Sequence, residues 1–108
     1  MKTYAASLIA ITLLVAASDL AACAPRETPA KSRARAIMAA VKAKTPDAVF
    51  GKVWANGGWT CGRFTSAGVE KGFLGETVDV LWIEGPDTEP YYGRAWIKFC
   101  SAEKAALF

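Results

Sequence analysis

The sequence predicts an α+β fold in which one N-terminal amphipathic helix packs on an antiparallel sheet of about four strands, closed by one disulfide. Apolar residues recur at helical spacing between Ala30 and Val41. Short runs rich in valine and aromatic residues, separated by glycines, follow Pro46. Such a helix can bury its apolar stripe against one face of a sheet, which gives two layers.

The first residues precede this domain and are typical of an export signal. Met1-Lys2 supplies a positive charge, residues 4–17 form an apolar run, and small residues surround Cys23. A transmembrane helix is the alternative interpretation. The run is, however, shorter than the roughly 20 residues that cross a bilayer, and Asp19 interrupts its end. We therefore expect a signal peptide.

The segment Leu20-Ala21-Ala22-Cys23 resembles the lipobox of bacterial lipoproteins. This resemblance implies that the Cys23 thiol carries a diacylglyceryl group and becomes the new N-terminus, so that a membrane of the cell envelope holds the protein on its periplasmic or outer surface. Ordinary cleavage near Ala22 or Ala24 would instead release a soluble periplasmic or secreted protein. The expected division of the chain is a signal peptide at 1–22, a tether at 23–28 and a domain at 29–108.

The cysteine count supports lipid attachment. Three cysteines leave one odd thiol in an oxidising compartment. If Cys23 carries lipid, Cys61 and Cys100 remain as a pair. We therefore predict a disulfide between them, of the kind that small exported domains use for stability.

The helix has recognisable boundaries. Thr28 is a suitable N-cap, Pro29 suits the first helical position, and Pro46 stops the helix. Lys42 and Lys44 in the last turn complement the negative end of the helix dipole. Its expected buried stripe is Ala30, Ala34, Ile37, Met38 and Val41.

Four strands are predicted after the helix, at 49–55, 59–64, 77–84 and 91–100. Asn56-Gly57-Gly58 predicts a tight hairpin between the first two, since both residue types accept positive φ. Residues 85–90 predict a longer loop between the last two strands. The glycine-rich stretch 65–75 is interpreted as a loop or an irregular edge strand.

Part of the domain resembles small exported bacterial envelope proteins of unknown function that combine a helix with an antiparallel sheet. The residues that carry this resemblance are Pro46, Asp47, Ala48, Phe50, Val53, Cys61-Gly62 and Gly72-Phe73-Leu74-Gly75. The resemblance implies a fold and an export route. It implies no activity.

The composition argues against an enzyme. The chain has no histidine, which excludes Ser-His-Asp and Cys-His nucleophilic systems and the commonest zinc ligands. A small hydrolase would need two carboxylates held a few ångströms apart, and no spacing here fixes such a pair. The same acids match no calcium loop, so we expect no metal and no cofactor. The acids considered are Glu70, Glu76, Asp79, Glu84, Asp87 and Glu89.

The aromatic residues are the candidate binding groups. Because side chains alternate along a strand, a strand at 91–100 would place Tyr92, Arg94 and Trp96 together on the face away from the helix. These residue types are common at interface hot spots. The alternative is that the aromatics pack across the strands and only close that face. The aromatics assigned to strands are Trp54, Trp59, Trp82, Tyr91, Tyr92 and Trp96.

The distribution of charge along the sequence indicates which kinds of partner to expect. Between Arg26 and Lys52 the bases greatly outnumber the acids Glu27 and Asp47. In an exported protein this pattern indicates a solvated helix face or a membrane surface rather than nucleic acid. We expect a non-enzymatic lipoprotein that binds an envelope protein or glycan. The alternative is a soluble periplasmic inhibitor or accessory protein of an envelope enzyme.

Overall fold

The computed structural model describes residues 26–108, so the expected signal peptide and Cys23 lie outside the described residues. The α+β class is confirmed, with the four strands in one antiparallel sheet in chain order. Within the described range, no helix is long and apolar enough to cross a membrane. The elements are α1 (Pro29–Lys44), β1 (Val49–Asn56), β2 (Trp59–Ser66), β3 (Val69–Gly75), β4 (Leu81–Ile83) and α2 (Tyr91–Phe99).

Helix α1 begins and ends where the sequence predicts. Thr28 Oγ1 accepts a hydrogen bond from the Lys31 amide at 3.3 Å, which satisfies one of the free N–H groups of the first turn. Three residues of the predicted stripe, Ala34, Ile37 and Val41, are buried against the sheet. The helix thus closes one sheet face by burying apolar surface.

The hairpin between β1 and β2 is also confirmed. Asn56 pairs with Trp59 across a two-residue turn, and Gly57 has a φ of 60°. The register of this pair shifts between Phe50 and Val53. An irregularity of this kind re-aims side chains, and here both Phe50 and Val53 contact the core under α1.

The interpretation of residues 65–75 as a loop or irregular edge strand is wrong. Strand β3 is regular and lies inside the sheet, between β2 and β4. The turn before it uses Ala67 and Gly68, both at positive φ. Asp47, which lies just before β1, holds this turn, since its carboxylate accepts hydrogen bonds from Ser66 Oγ at 2.8 Å and from the Ala67 amide at 3.0 Å.

The strand predicted at 77–84 is much shorter in the structure. Thr77 Oγ1 accepts hydrogen bonds from the amides of Asp79 and Val80, which folds its segment into a turn. Of the predicted segment, only the three residues of β4 form a strand, which pairs with β3. The outer edge of the sheet is therefore short, which limits pairing with other chains.

The prediction of a strand at 91–100 is wrong, because this segment forms helix α2. Its inward residues recur at the helical spacing i, i+3, i+4 and i+7 rather than in alternation. They are Tyr92, Ala95, Trp96 and Phe99. Helix α2 lies on the sheet face opposite α1, so both faces of the sheet are covered and the core has two halves.

The predicted disulfide is present. Cys61 on β2 bonds to Cys100, directly after α2, with their Cα atoms 5.7 Å apart and 39 residues of separation. Both cysteines are fully buried. The bond therefore fastens α2 to the middle of the sheet.

We predict that Cys61→Ala/Cys100→Ala loses about 4 kcal/mol of unfolding free energy, since opening a loop of this length restores entropy to the unfolded chain. Urea denaturation followed by tryptophan fluorescence measures the loss. In reducing agent, the unfolding free energy of the parent protein should approach that of the variant. An unchanged denaturation midpoint would contradict a stabilising disulfide.

Candidate functional site

All four tryptophans belong to the half of the core between the sheet and α2, Trp96 from the helix and the other three from the strands. The Trp59 ring stacks between Phe99 and Trp82, with centroid separations of 4.2 and 5.9 Å. Trp54 meets Trp96 edge-on at 5.8 Å. Contacts of this geometry add to the stabilisation from buried area. The aromatic residues therefore form the second half of the core.

Charged side chains cover part of this aromatic cluster. The Arg63 guanidinium lies 5.1 Å from the Trp96 ring centroid, and the Lys52 ammonium lies 5.6 Å from that of Trp54. Glu103 joins the two cations, at 3.1 Å from Lys52 and 3.8 Å from Arg63. Such exposed ion pairs contribute little free energy. Their position nevertheless keeps the two ring faces from forming an open aromatic strip.

The structure does not bring the predicted binding residues onto one surface. Tyr92 is only 6% exposed and belongs to the core. Trp96 is half-buried against Arg63, whereas Arg94 points outward from α2. They were grouped because alternate residues of a strand share one face, and this rule does not apply to a helix. The outer face of α2 presents Tyr91, Arg94, Ile97 and Lys98 instead.

Several acidic side chains form hydrogen bonds or ion pairs within the fold. Glu84 Oε1 accepts a hydrogen bond from the Gly72 amide at 2.9 Å, and Glu70 lies 3.9 Å from Arg63. The hydrogen bonds from Ser66 and Ala67 hold the pKa of Asp47 below its ordinary value. Among residues 26–108, no group of three or more His, Cys, Asp or Glu side chains is placed to hold a metal ion.

A shallow groove lies between α1 and β1. It has a volume of about 270 Å³, and we call it the α1 groove. Its lining combines apolar and cationic side chains. They are Arg35, Met38, Ala39, Lys42 and Phe50.

Local structure explains the lining of the α1 groove. Arg35, Ala39 and Lys42 are three or four residues apart and therefore share one flank of the helix. Phe50 reaches the groove from β1 and packs 5.7 Å from the core ring of Phe73. The groove is thus an apolar floor with a cation at each end.

The charges of the α1 groove remain available to a ligand. Lys42 Nζ donates to the Ala48 carbonyl at 3.3 Å, a contact that leaves its positive charge uncompensated. Arg35 Nε lies 2.6 Å from Glu27 in an exposed ion pair. The lining contains no acid, hydroxyl or thiol, and its polar groups are the two cations.

Sequence reasoning missed this groove, although part of its signal was readable. The spacing of Lys31, Arg35 and Lys42 along α1 could have indicated a cationic flank, but the sequence analysis did not single it out. The position of Phe50 could not be read, because it depends on the irregular pairing of β1 with β2.

The chain matches no protein-family model, no curated protein and no solved structure. The lipobox resemblance at Cys23 and the envelope-protein resemblance stay expectations from sequence.

We predict an alkaline loss of stability that depends on Tyr92. Burial, assisted by the negative charge of Glu84, raises the pKa of Tyr92 above its ordinary value of 10.0. The neutral phenol is thus favoured in the folded state. Its stabilisation is fully present below pH 10 and is lost as the pH rises towards the folded-state pKa.

Thermal melts of the parent, Tyr92→Phe and Tyr91→Phe at increasing alkaline pH test this prediction. The melting temperature of the parent and of Tyr91→Phe should fall more steeply than that of Tyr92→Phe, since Tyr91 is exposed. Equal slopes for all three proteins would contradict burial of the Tyr92 hydroxyl.

Proposed function

We propose that this chain is a non-enzymatic envelope lipoprotein, held by lipid on Cys23, whose domain binds a negatively charged envelope component in the α1 groove. The observation that carries the proposal is the pairing of a cationic rim with an apolar floor in that groove. Its ligand would combine an anionic group with an apolar portion.

The closed architecture supports the choice of this groove. Both sheet faces are occupied by helices, and the aromatic residues are used in the core. Exposed apolar residues on α2, such as Tyr91 and Ile97, occur singly, and scattered residues of this kind are normal on a folded surface. The α1 groove differs because its apolar and charged groups are contiguous.

The groove lining also supports a binding role over a catalytic one. Carboxylate catalysis needs two acids at a fixed short separation. The α1 groove has none, and its basic residues Arg35 and Lys42 are typical of anion recognition.

We predict that protein purified from the cell envelope begins at Cys23 and carries two or three acyl chains, as a stable lipid anchor requires. Intact-mass measurement and detergent partitioning test this. A soluble species that begins near Ala22 or Ala24 without lipid would contradict the anchor and favour the soluble periplasmic alternative.

We predict that Ala39→Glu abolishes capture of the envelope ligand, because it places a negative charge in the groove between Arg35 and Lys42. Ala36→Glu is the matched control, since Ala36 is exposed on the same helix but does not line the groove. Material captured from envelope extract by each protein is identified by mass spectrometry.

The two variants should melt at the same temperature, which shows that neither change unfolds the domain. Capture of the same material by the parent and by both variants would contradict binding in the α1 groove.

A further inference from the structure

Three cations form a row along the groove flank of α1. Lys31, Arg35 and Lys42 recur at intervals of four and seven residues and so project from one side of the helix. The row is about 16 Å long at the helical rise of 1.5 Å per residue. It therefore extends beyond the α1 groove towards the start of the helix.

Little in the described structure neutralises this row. Helix α1 contains five bases and no acid, as its sequence PAKSRARAIMAAVKAK shows. Among residues 26–108, Arg35 is the one base of α1 that forms a salt bridge, and its partner Glu27 is itself exposed. The flank thus carries more positive charge than its one acidic neighbour, Glu27, neutralises.

Apolar groups lie within the same surface. Met38 and Phe50 form the floor of the groove. Phe108 is 54% exposed, and its ring centroid lies 4.8 Å from the Arg35 guanidinium carbon. Cations interspersed with exposed apolar groups are the composition of surfaces that lie at a membrane interface.

The length of the tether brings this surface close to the membrane. Pro29 follows Cys23 by six positions, and six residue steps span at most about 20 Å when fully extended. A lipid on Cys23 would hold the start of α1 within that distance of the headgroups. The bilayer would then be present at high effective concentration, so even a weak contact would form.

We infer that the α1 flank docks on the anionic phospholipid headgroups of the bilayer that holds Cys23, with a lipid phosphate at the cationic rim of the α1 groove. This deepens the proposed function and rests on its lipid anchor. Positive charge facing an anionic leaflet supplies the attraction, which acts within a Debye length of about 8 Å.

The size of the groove favours a lipid headgroup over a larger ligand. Its volume of about 270 Å³ falls below the roughly 300–1,000 Å³ of pockets that enclose small molecules. It suits a phosphate with an adjoining glycerol or a short apolar segment. An acidic protein would need a broader complementary surface than this narrow row provides.

Docking through α1 would orient the domain. Helix α2 lies on the opposite face of the sheet, so its outer face would point away from the bilayer. Because two or three acyl chains already give a stable anchor, the α1 flank sets orientation rather than attachment.

Lysine acetylation, read by mass spectrometry, tests the inference on the full envelope-purified protein. Vesicles of phosphatidylcholine alone are compared with vesicles of equal parts phosphatidylcholine and phosphatidylglycerol. Lys31 and Lys42 report on the α1 flank, and the exposed Lys98 and Lys104 are internal controls. We expect acetylation of Lys31 and Lys42 to slow by about fivefold or more in the anionic vesicles, with the controls nearly unchanged.

Ala39→Glu should lose this protection and Ala36→Glu should keep it. Added salt should weaken it, because the attraction is screened. Equal acetylation rates in both vesicles would overturn the inference, as would the same protection by inorganic phosphate or polyglutamate without vesicles. Intact mass reports the anchor separately, so a lipidated protein without protection refutes the docking and leaves the anchor intact.

Discussion

Attachment of α2 to the second sheet face is the constraint on which the rest of the structure depends. The Cys61–Cys100 bond fixes the end of α2, and the stacked rings of Trp59, Trp82 and Phe99 fill the space beside it. Gly72 allows this close approach, because a side chain there would overlap the Tyr92 hydroxyl. A small domain needs both halves of its core for stability, and this half contributes the fully buried Trp54 and Leu74.

As a consequence, the two helices present different kinds of surface to other molecules. With its aromatic residues committed to packing, the α2 side offers an outer surface of separated groups such as Tyr91, Arg94 and Ile97. The α1 side retains a groove with uncompensated positive charge and lies next to the tether. The proposed anchor and the proposed binding groove therefore both involve the α1 side of the molecule.

The sequence predicted the features that depend on local chemistry. The Thr28-Pro29 helix start, the Asn56-Gly57-Gly58 hairpin and the cysteine pairing all follow from residue types at short range or from a count. Helix α2 was predicted as a strand because a short apolar run is compatible with both strand alternation and helical periodicity. The helical spacing is recognisable only once the buried residues are known, and these are Tyr92, Ala95, Trp96 and Phe99. Strand β3 was missed because Asp47, twenty residues away, stabilises its turn. The α1 groove could not be predicted because its lining depends on the register of β1 against β2, which no local pattern specifies.

Nuclear magnetic resonance of the oxidised protein tests whether α2 is a helix packed on the second face of the sheet. The account predicts helical backbone chemical shifts across Tyr91–Phe99 and nuclear Overhauser contacts between the Tyr92 ring and the α-protons of Gly72. Extended-strand shifts over that segment, with a Tyr92 ring that contacts only solvent, would contradict it. The aromatic face would then be open, and the case for the α1 groove as the principal interaction surface would fail.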